Sequence, residues 1–262
     1  MSDYRTIDVR REGSVARLAF DRPDAHNALN ERMAEEIATA AQKLASDDDV
    51  RCIAVTANGP VFNSGADLTA LAGDGSDEPR LRSLTADLHE FVSQLVRAPK
   101  PVVTGVNGVA AGGGLGPAIC GDIVLVAESA RFEFAYPRIG LSGDGGSTYL
   151  LPRLVGLRRA QELTFRDEPV DAEAAVEMGL ATEVVDDDAL DERLTAEAER
   201  LADGPTRAYA ATKRLLVESF DNSLDGHLGA EAEAISELTN SEDFARGHAA
   251  FGGGDEPDFV GE

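Results

Sequence analysis

The sequence predicts an α/β fold, and three observations support this prediction. Apolar runs typical of strands alternate with amphipathic helical segments over most of the chain. Two of these strand-like runs, 52–56 and 101–106, lead into helical segments through turns of glycine and other small residues. From Asp186 onward, in contrast, every segment has helical spacing, so we expect an α/β core followed by a helical region.

The elements of the core follow from local patterns in chain order. Alternating residues at 6–9 and 16–20 predict a hairpin that turns at Glu12 and Gly13. Asn30 is a typical N-cap, and apolar residues recur at helical spacing after it, up to about Ala45. The remaining predicted core elements are strands at 51–56, 101–106 and 123–127 and helices at 80–96 and 115–120.

The C-terminal part is predicted to be entirely helical. Four helices are expected, at 190–201, 207–220, 224–238 and 242–251. No predicted strand remains to cover them, so they must pack on the core or on another subunit. We therefore divide the chain into a core, residues 1–200, and a C-terminal helical region, residues 201–262.

The run from Val106 to Gly116 is the most informative feature of the chain, because three consecutive glycines lie between a strand and a helix. Such a run is unfavourable unless the backbone must approach something closely. The first N–H groups of a helix are unpaired and partially positive, which suits an anion or a developing oxyanion. A tight strand-to-helix turn explains the same glycines equally well.

A second segment, 59–68, also passes from a strand through small residues into a helical segment. Two such elements can each direct one backbone N–H at a common point, as acyl-transfer and enolate-forming enzymes require for a thioester oxygen. Ala66 and Gly113 have side chains small enough for this purpose. We predict that their amides form an oxyanion hole.

Five segments carry an ordered set of motifs: 22–29, 64–67, 107–114, 151–156 and 174–181. Together they resemble the crotonase superfamily, also called the enoyl-CoA hydratase/isomerase family. The resemblance extends from about Val15 to Phe251, which is nearly the whole chain.

This resemblance implies a fold and a substrate. The fold is a right-handed spiral of strand–strand–helix units that binds acyl-CoA, with a C-terminal helical region for oligomerisation into a homotrimer or a hexamer of two trimers. The substrate is a coenzyme A thioester, and no cofactor is bound permanently. The positions that match substrate- and CoA-binding residues of the family are Arg22, His26, Ala28, Ser64, Asp67, Leu68, Gly112, Gly116, Tyr136 and Pro137. The chain departs from the family at 252–256, where Gly-Gly-Gly-Asp-Glu replaces a basic helix continuation that usually contacts the coenzyme.

The carboxylates that hydratases of this family use are missing. Those enzymes hold and activate water with two glutamates, one as base and one as acid. At the matching positions this chain has Gly116 and Tyr136. Glu133 is near the second position, but a strand-like run would turn it to the side opposite Phe134. We therefore expect no water addition by the usual pair.

A different carboxylate, Asp144, lies in a glycine-rich loop before a helix predicted at 148–155. It can simply cap that helix. In the superfamily, the matching aspartate is a general base in isomerases that resemble the phenylacetate-pathway enzyme, and a nucleophile in 4-chlorobenzoyl-CoA dehalogenase. We favour double-bond isomerisation of an enoyl-CoA, with Asp144 as base and Tyr136 shaping the acyl pocket. A hydratase with a non-standard base and a non-catalytic CoA-binding homologue are further alternatives.

The dehalogenase alternative rests on the similarity of 108–116 and on His89, which lies in the helix before the central strand. That helix often carries a histidine elsewhere in the superfamily, and His89 is one turn from Thr85 and Ser93. We therefore interpret His89 as a solvated helix residue. The dehalogenase has a tryptophan where this chain has Tyr136, and this chain contains none, which weakens the alternative.

The chain is strongly acidic, with 48 Asp and Glu residues against 24 Lys and Arg residues and a net charge of −24. This charge disfavours nucleic acid and anionic membranes as partners. The acidic residues are scattered and lysine is nearly absent, which resembles proteins of salt-accumulating archaea. We favour a surface adapted to high salt over a merely acidic enzyme.

Composition also indicates the compartment. No apolar run is long enough to cross a bilayer and residues 1–5 show no signal pattern, so we expect a cytoplasmic protein. Cys52 and Cys120 lie in apolar stretches and are expected to be buried thiols. The four histidines are not spaced as metal ligands, so no metal site is predicted.

Overall fold

A computed structural model describes residues 4–254 and 256–262 of the chain. Residues 1–3, in which no signal pattern was found, and Asp255 of the C-terminal departure lie outside the described residues. The strands of the described chain are β1 (Ile7–Glu12), β2 (Val15–Phe20), β3 (Cys52–Ala57), β4 (Val61–Asn63), β5 (Val102–Val106), β6 (Val109–Ala111), β7 (Ile123–Ala127), β8 (Arg131–Glu133), β9 (Val170–Asp171) and β10 (Glu183–Val185). Its α-helices are α1 (Glu31–Ser46), α2 (Glu78–Arg97), α3 (Leu115–Ile119), α4 (Ser147–Leu154), α5 (Gly156–Arg166), α6 (Ala172–Met178), α7 (Leu190–Ala202), α8 (Thr206–Glu218), α9 (Leu224–Leu238) and α10 (Glu242–Gly253).

The strands form two sheets that the chain visits in turn. The larger sheet has the order β1-β2-β3-β5-β7-β10 and is parallel except for the β1–β2 hairpin. The smaller sheet has the order β4-β6-β8-β9 and is parallel except for β8–β9. Three times the chain runs from the larger sheet to the smaller one and then into a helix, through β3-β4-α2, β5-β6-α3 and β7-β8-α4. The observed architecture is therefore the predicted α/β succession of strand–strand–helix units.

The local signals of the sequence explain where the first elements begin and end. The hairpin turns at Gly13, whose φ of +58° is unfavourable for residues with a side chain. The side chain of Asn30 accepts a hydrogen bond from the N–H of Met33 at 2.9 Å, so it caps α1 as predicted. The buried face of α1 packs against α2, as the helical spacing of its apolar residues predicts.

Four strands are absent from the sequence-based prediction: β4, β6, β9 and β10. Each has only two or three residues, which is too short for an alternating pattern to be seen. The strand-like run predicted around Glu133 and Phe134 is also shorter than expected. Strand β8 ends at Glu133, and Ala135 adopts a left-handed backbone with a φ of +61°, so the chain turns before Tyr136.

Aromatic rings and thiols fill the centre of the core. The Phe20 ring lies 5.2 Å from that of Phe62 and 6.0 Å from that of Phe91, so it joins the two sheets to α2. Cys52 and Cys120 are buried free thiols, as predicted. Burial raises the pKa of each to about 12.

Polar contacts from Arg51 and Lys213 dock the helical region on the core. The predicted boundary at residue 201 falls inside α7, which packs on β3 and β5. Helix α8 is held by Lys213, whose Nζ lies 2.8 Å from the Asp122 carboxylate. Large apolar side chains of α8 to α10 and their connections nevertheless stay exposed: Leu216, Phe220, Leu224, Leu228, Ile235 and Phe251. No α-helix in the described parts of the chain combines the length and the hydropathy that crossing a membrane requires.

Candidate active site

The two segments predicted to supply backbone donors lie against each other. Gly65 has a φ of +88°, and a Cβ added to it would lie 3.0 Å from the Ala111 carbonyl oxygen and 3.2 Å from the Gly113 nitrogen. Gly113 is the second residue of a 3-10 turn at 112–114. The first hydrogen bond of that turn is donated by Leu115, so the turn does not use the N–H of Gly113. The structure thus brings the segments of Ala66 and Gly113 together, as the sequence predicts.

The loop at 22–29, which carries the first of the family-like motifs, is attached to the Ala66 segment through Arg22. One guanidinium nitrogen, Nη2, lies 3.1 Å from the Asp67 carboxylate, and Nη1 donates to the Ala28 carbonyl oxygen. A hydrogen bond from Thr69 and the Arg22 guanidinium lower the pKa of Asp67 below its ordinary value. Three predicted CoA-binding residues, Arg22, Ala28 and Asp67, therefore form one bonded group.

The other predicted binding residues differ in exposure. The exposed ones are His26, Ser64, Leu68 and Pro137, and the half-buried one is Gly112. A cavity of about 260 Å³ opens beside Ala66 and Asp67 and is bounded by Leu84 of α2. This cavity and the exposed rim around it offer room for part of a coenzyme.

Two buried amides that the sequence analysis did not select hold these loops in place. Asn27 donates to the carbonyls of Asn58 and Val61 at 2.9 and 2.7 Å. Asn63 donates to the Asn27 carbonyl at 2.7 Å, and its Oδ1 accepts from the Gly65 N–H at 2.8 Å. The spacing of Asn63 and Gly65 is typical of an Asx turn, which was a usable signal. Both amides are positioning residues for the Ala66 segment.

Gly116, at the position of the first hydratase glutamate, has no space for a side chain. A Cβ added to it would lie 1.6 Å from the carbonyl oxygen of Gly145. The loop that carries Asp144 thus occupies the volume that a glutamate side chain at 116 would need. The missing carboxylate is a consequence of how two backbones pack, and restoring it would displace the loop.

Replacement of Gly116 by alanine is expected to lower the free energy of unfolding by about 1–3 kcal/mol, because an added methyl group overpacks the contact with Gly145. The matched control is Gly252→Ala in α10, where an added Cβ meets nothing within 4 Å and should be neutral or slightly stabilising. Urea unfolding of both variants measures the difference. Equal stability of the two variants would contradict the close packing at Gly116.

The second hydratase position is occupied by Tyr136, and the neighbouring carboxylate is turned away. Glu133 is bound by Arg131 at 2.7 Å and by Arg138 at 2.5 Å. Burial opposes ionisation of Glu133, but these hydrogen bonds outweigh it and lower the pKa. Burial raises the pKa of Tyr136, and the charge of nearby Asp144 raises it further, so Tyr136 stays neutral. The prediction that Glu133 is out of register agrees with its observed partners.

Asp144 is not the cap of the helix that follows it. Helix α4 begins at Ser147 with Gly146 at its N-cap position, and the Asp144 carboxylate is instead hydrogen-bonded to Nε2 of His89. The interpretation of His89 as merely a solvated residue is therefore wrong. Its side chain is 55% exposed but it also contacts Asp144, which is 23% exposed. These two residues are 55 positions apart in the chain, so no local pattern could pair them.

The backbone around Asp144 is held rigidly. Its carbonyl oxygen accepts hydrogen bonds from Ser147, from the N–H at 3.1 Å and from Oγ at 2.7 Å. Gly145 has a φ of +59°, and a Cβ added there would lie 3.3 Å from the Gly113 carbonyl oxygen. Gly145, the residue after Asp144, therefore packs against the predicted oxyanion turn at 112–114.

Asp144 and His89 line a cavity of about 410 Å³. Its walls include the apolar side chains of Val92, Leu150 and Val217. This cavity shares no lining residue with the one beside Ala66. Leu88 of α2 packs against both Gly113 and Gly145.

Comparison with known proteins places this geometry in a family. The sequence profile of the enoyl-CoA hydratase/isomerase family matches residues 10–262. A Rhodobacter capsulatus protein named "Probable enoyl-CoA hydratase" is 38% identical over 98% of this chain and 99% of its own length. The 1,2-epoxyphenylacetyl-CoA isomerase of Escherichia coli is 35% identical, with 96% and 97% covered. A 4-chlorobenzoyl-CoA dehalogenase of an Arthrobacter species is 32% identical, with 95% and 91% covered.

Comparison of the fold with solved structures indicates the same family. The crystal structure of an enoyl-CoA hydratase subunit I from Geobacillus kaustophilus superposes with a TM-score of 0.92 at 31% identity, covering 100% of both chains. The predicted crotonase-type fold class is thereby confirmed. The names of the relatives include a hydratase, an isomerase and a dehalogenase, so they support acyl-CoA chemistry without selecting one reaction. On its sequence, its fold and the arrangement of its loops, the chain belongs to the enoyl-CoA hydratase/isomerase family.

Proposed function

We propose that this protein isomerises an enoyl-CoA by moving its double bond, with Asp144 as the base. The observation that carries the proposal is the setting of Asp144. Its carboxylate neither caps α4 nor pairs with a lysine or arginine among the described residues, and it faces a cavity with largely apolar walls. A carboxylate that caps no helix and faces apolar walls is available to take up and return a proton of a bound acyl group.

In the proposed reaction, the thioester oxygen binds between the N–H groups of Ala66 and Gly113. These donors stabilise the enolate and so acidify the adjacent carbon. Asp144 removes a proton from the acyl chain, the electron pair moves the double bond, and protonated Asp144 returns the proton at another carbon. The product is therefore an isomer of the substrate, and no atom or electron is gained or lost. The bonded group of Arg22, Ala28 and Asp67 lies where the nucleotide end of the coenzyme is expected.

Isomerisation is favoured over hydration because neither hydratase position supplies a carboxylate. The Gly145 carbonyl leaves no space for a side chain at position 116. The Glu133 carboxylate forms ion pairs with two arginines, Arg131 and Arg138. Tyr136 stays neutral in its buried place. One carboxylate with an apolar cavity can move a proton within a substrate, whereas hydration needs a base and an acid that also hold water.

Hydrolytic dehalogenation of an aryl-CoA is the second candidate, and the contact between His89 and Asp144 favours it. In that reaction Asp144 would attack the aryl carbon and the halide would leave, forming an aryl ester of the aspartate. His89 is close enough to draw a proton from a water that hydrolyses this ester. The absence of tryptophan from the whole chain remains a departure from the dehalogenase pattern.

A panel of acyl-CoA esters separates these functions. The panel is assayed in high salt for double-bond migration, for hydration and for halide release. We expect migration with at least one enoyl-CoA and slow or absent hydration of crotonyl-CoA. Halide release together with an aryl intermediate bound to the aspartate would show that the protein is a dehalogenase and not an isomerase. Acyl-CoA binding without any of the three reactions would indicate a non-catalytic homologue.

We further propose that the acidic surface is an adaptation to high salt. With a net charge of −24, self-repulsion is strong in dilute buffer and is screened as salt rises. The melting temperature is therefore expected to increase from low to molar salt. Melting curves at several salt concentrations measure this, and a flat dependence on salt would refute the adaptation.

The helical region, residues 201–262, is proposed to mediate a homotrimer or a hexamer of two trimers. The support is the exposed apolar set on α8 to α10, since large apolar surfaces of this kind mark association sites. Sedimentation at high salt gives the assembly mass. A monomer under conditions where the protein is folded would overturn this proposal.

A further inference from the structure

One face of α2 runs along the cavity that contains Asp144. The residues of this face at positions 89, 92, 93, 96 and 97 all line the cavity, which matches helical spacing. His89 contacts Asp144 at one end. Arg97 is eight residues further along, or about 12 Å at the ~1.5 Å rise of a helix, so it lies at the far end from the proposed base.

In the part of the chain that the structure describes, Arg97 is a cation without an anionic partner. Its Nη1 donates to the Ser93 Oγ at 2.6 Å, which orients the guanidinium on the helix face. Within residues 4–254 and 256–262, no carboxylate forms an ion pair with it, although the chain has twice as many acidic as basic residues. A guanidinium has five N–H donors in a planar fork that suits a carboxylate, so most of its donors are free for a ligand.

The walls between Asp144 and Arg97 are largely apolar. Val92, Val96, Leu150 and Val217 line this stretch. The cavity then meets a wider cleft of about 840 Å³, and Val96, Arg97 and Val217 line both. An acyl chain that starts at Asp144 would therefore contact apolar side chains along its length and reach Arg97 at its end.

We propose that Arg97 is a specificity-determining residue that selects acyl groups ending in a carboxylate. The substrate class is then a CoA thioester of an unsaturated dicarboxylic acid of medium length, with the free carboxylate bound by Arg97. This inference rests on the proposed function, because it takes the acyl group to enter beside Asp144. Ser93 orients Arg97 and is a positioning residue in the same device.

Binding of unreactive substrate analogues tests the inference independently of the reaction. Two saturated acyl-CoA esters of equal length, one ending in a carboxylate and one in a methyl group, are titrated by calorimetry. The titrations use the lowest salt at which the protein stays folded, since salt weakens exposed charge pairs. We expect the wild type to bind the carboxylate ester roughly severalfold more tightly, as an exposed charge pair implies.

The variant Arg97→Gln should lose this preference and keep its affinity for the methyl ester. Arg97→Lys should retain part of the preference through its charge. The matched control is Arg82→Gln, since Arg82 is on the same helix but pairs with Glu78 and does not line the cavity; it should behave like the wild type.

The outcomes separate the inference from the proposed reaction. Equal binding of both esters by the wild type, an equal loss of both in Arg97→Gln, or no binding of either ester overturns the role of Arg97, whether or not enoyl-CoA is isomerised. A preference for the carboxylate ester that disappears in Arg97→Gln supports the role of Arg97, even if the panel shows no isomerisation.

Discussion

Replacement of Asp144 by asparagine is expected to slow double-bond migration by about two to four orders of magnitude, because it removes the proposed base. The protein should stay folded. Asparagine is nearly isosteric, its carbonyl can still accept a hydrogen bond from His89, and α4 loses no cap because Gly146 is at that position. The measurement is the rate of migration at saturating enoyl-CoA, together with the melting temperature of the variant.

The control for this variant is Asp188→Asn, which removes one negative charge from an exposed position away from the cavity. It should keep the wild-type rate, so a loss confined to Asp144→Asn cannot come from net charge. Undiminished migration in folded Asp144→Asn would show that another group moves the proton. If halide release disappears instead, together with a covalent aryl intermediate, Asp144 is the nucleophile of the second candidate reaction.

Replacement of Gly113 by proline is expected to reduce turnover by about two to three orders of magnitude, which is the usual effect of losing one oxyanion donor. Proline has no N–H, so the thioester oxygen would keep only the amide of Ala66. Since the loss concerns the transition state, kcat should fall more than the affinity for acyl-CoA.

The matched control is Gly113→Ala, which keeps the N–H. An alanine Cβ there would lie 3.4 Å from Cδ1 of Leu29 and 3.5 Å from Cδ2 of Leu88, both ordinary contacts. Turnover should then remain within severalfold of the wild type. A folded proline variant with unchanged turnover would eliminate the model of two backbone donors. Equal losses in both variants would mean that packing at 113, and no lost donor, is responsible.

The sequence predicted those features in which the local backbone conformation requires a particular residue type. Gly13 at the hairpin turn and Asn30 at the start of α1 were predicted because each satisfies its own backbone. The glycines at 112–114 and at 65 indicated the two converging segments, because a close backbone approach excludes side chains. The short strands of the smaller sheet leave no such signal, since two or three residues carry no periodicity.

The sequence by itself determined the family, the longer strands and helices, and the loss of the hydratase carboxylates at 116 and 136. It also selected Asp144, but it left open whether this residue caps a helix or does chemistry. Only the tertiary structure showed that Asp144 does not cap α4, by placing Gly146 at the N-cap and His89 against the Asp144 carboxylate. It also placed the Gly145 carbonyl against Gly116. The same holds for Arg97, which meets the cavity of Asp144 only through the packing of α2. Such contacts join residues far apart in the chain, and they depend on the spacing of packed elements, which local residue patterns do not encode.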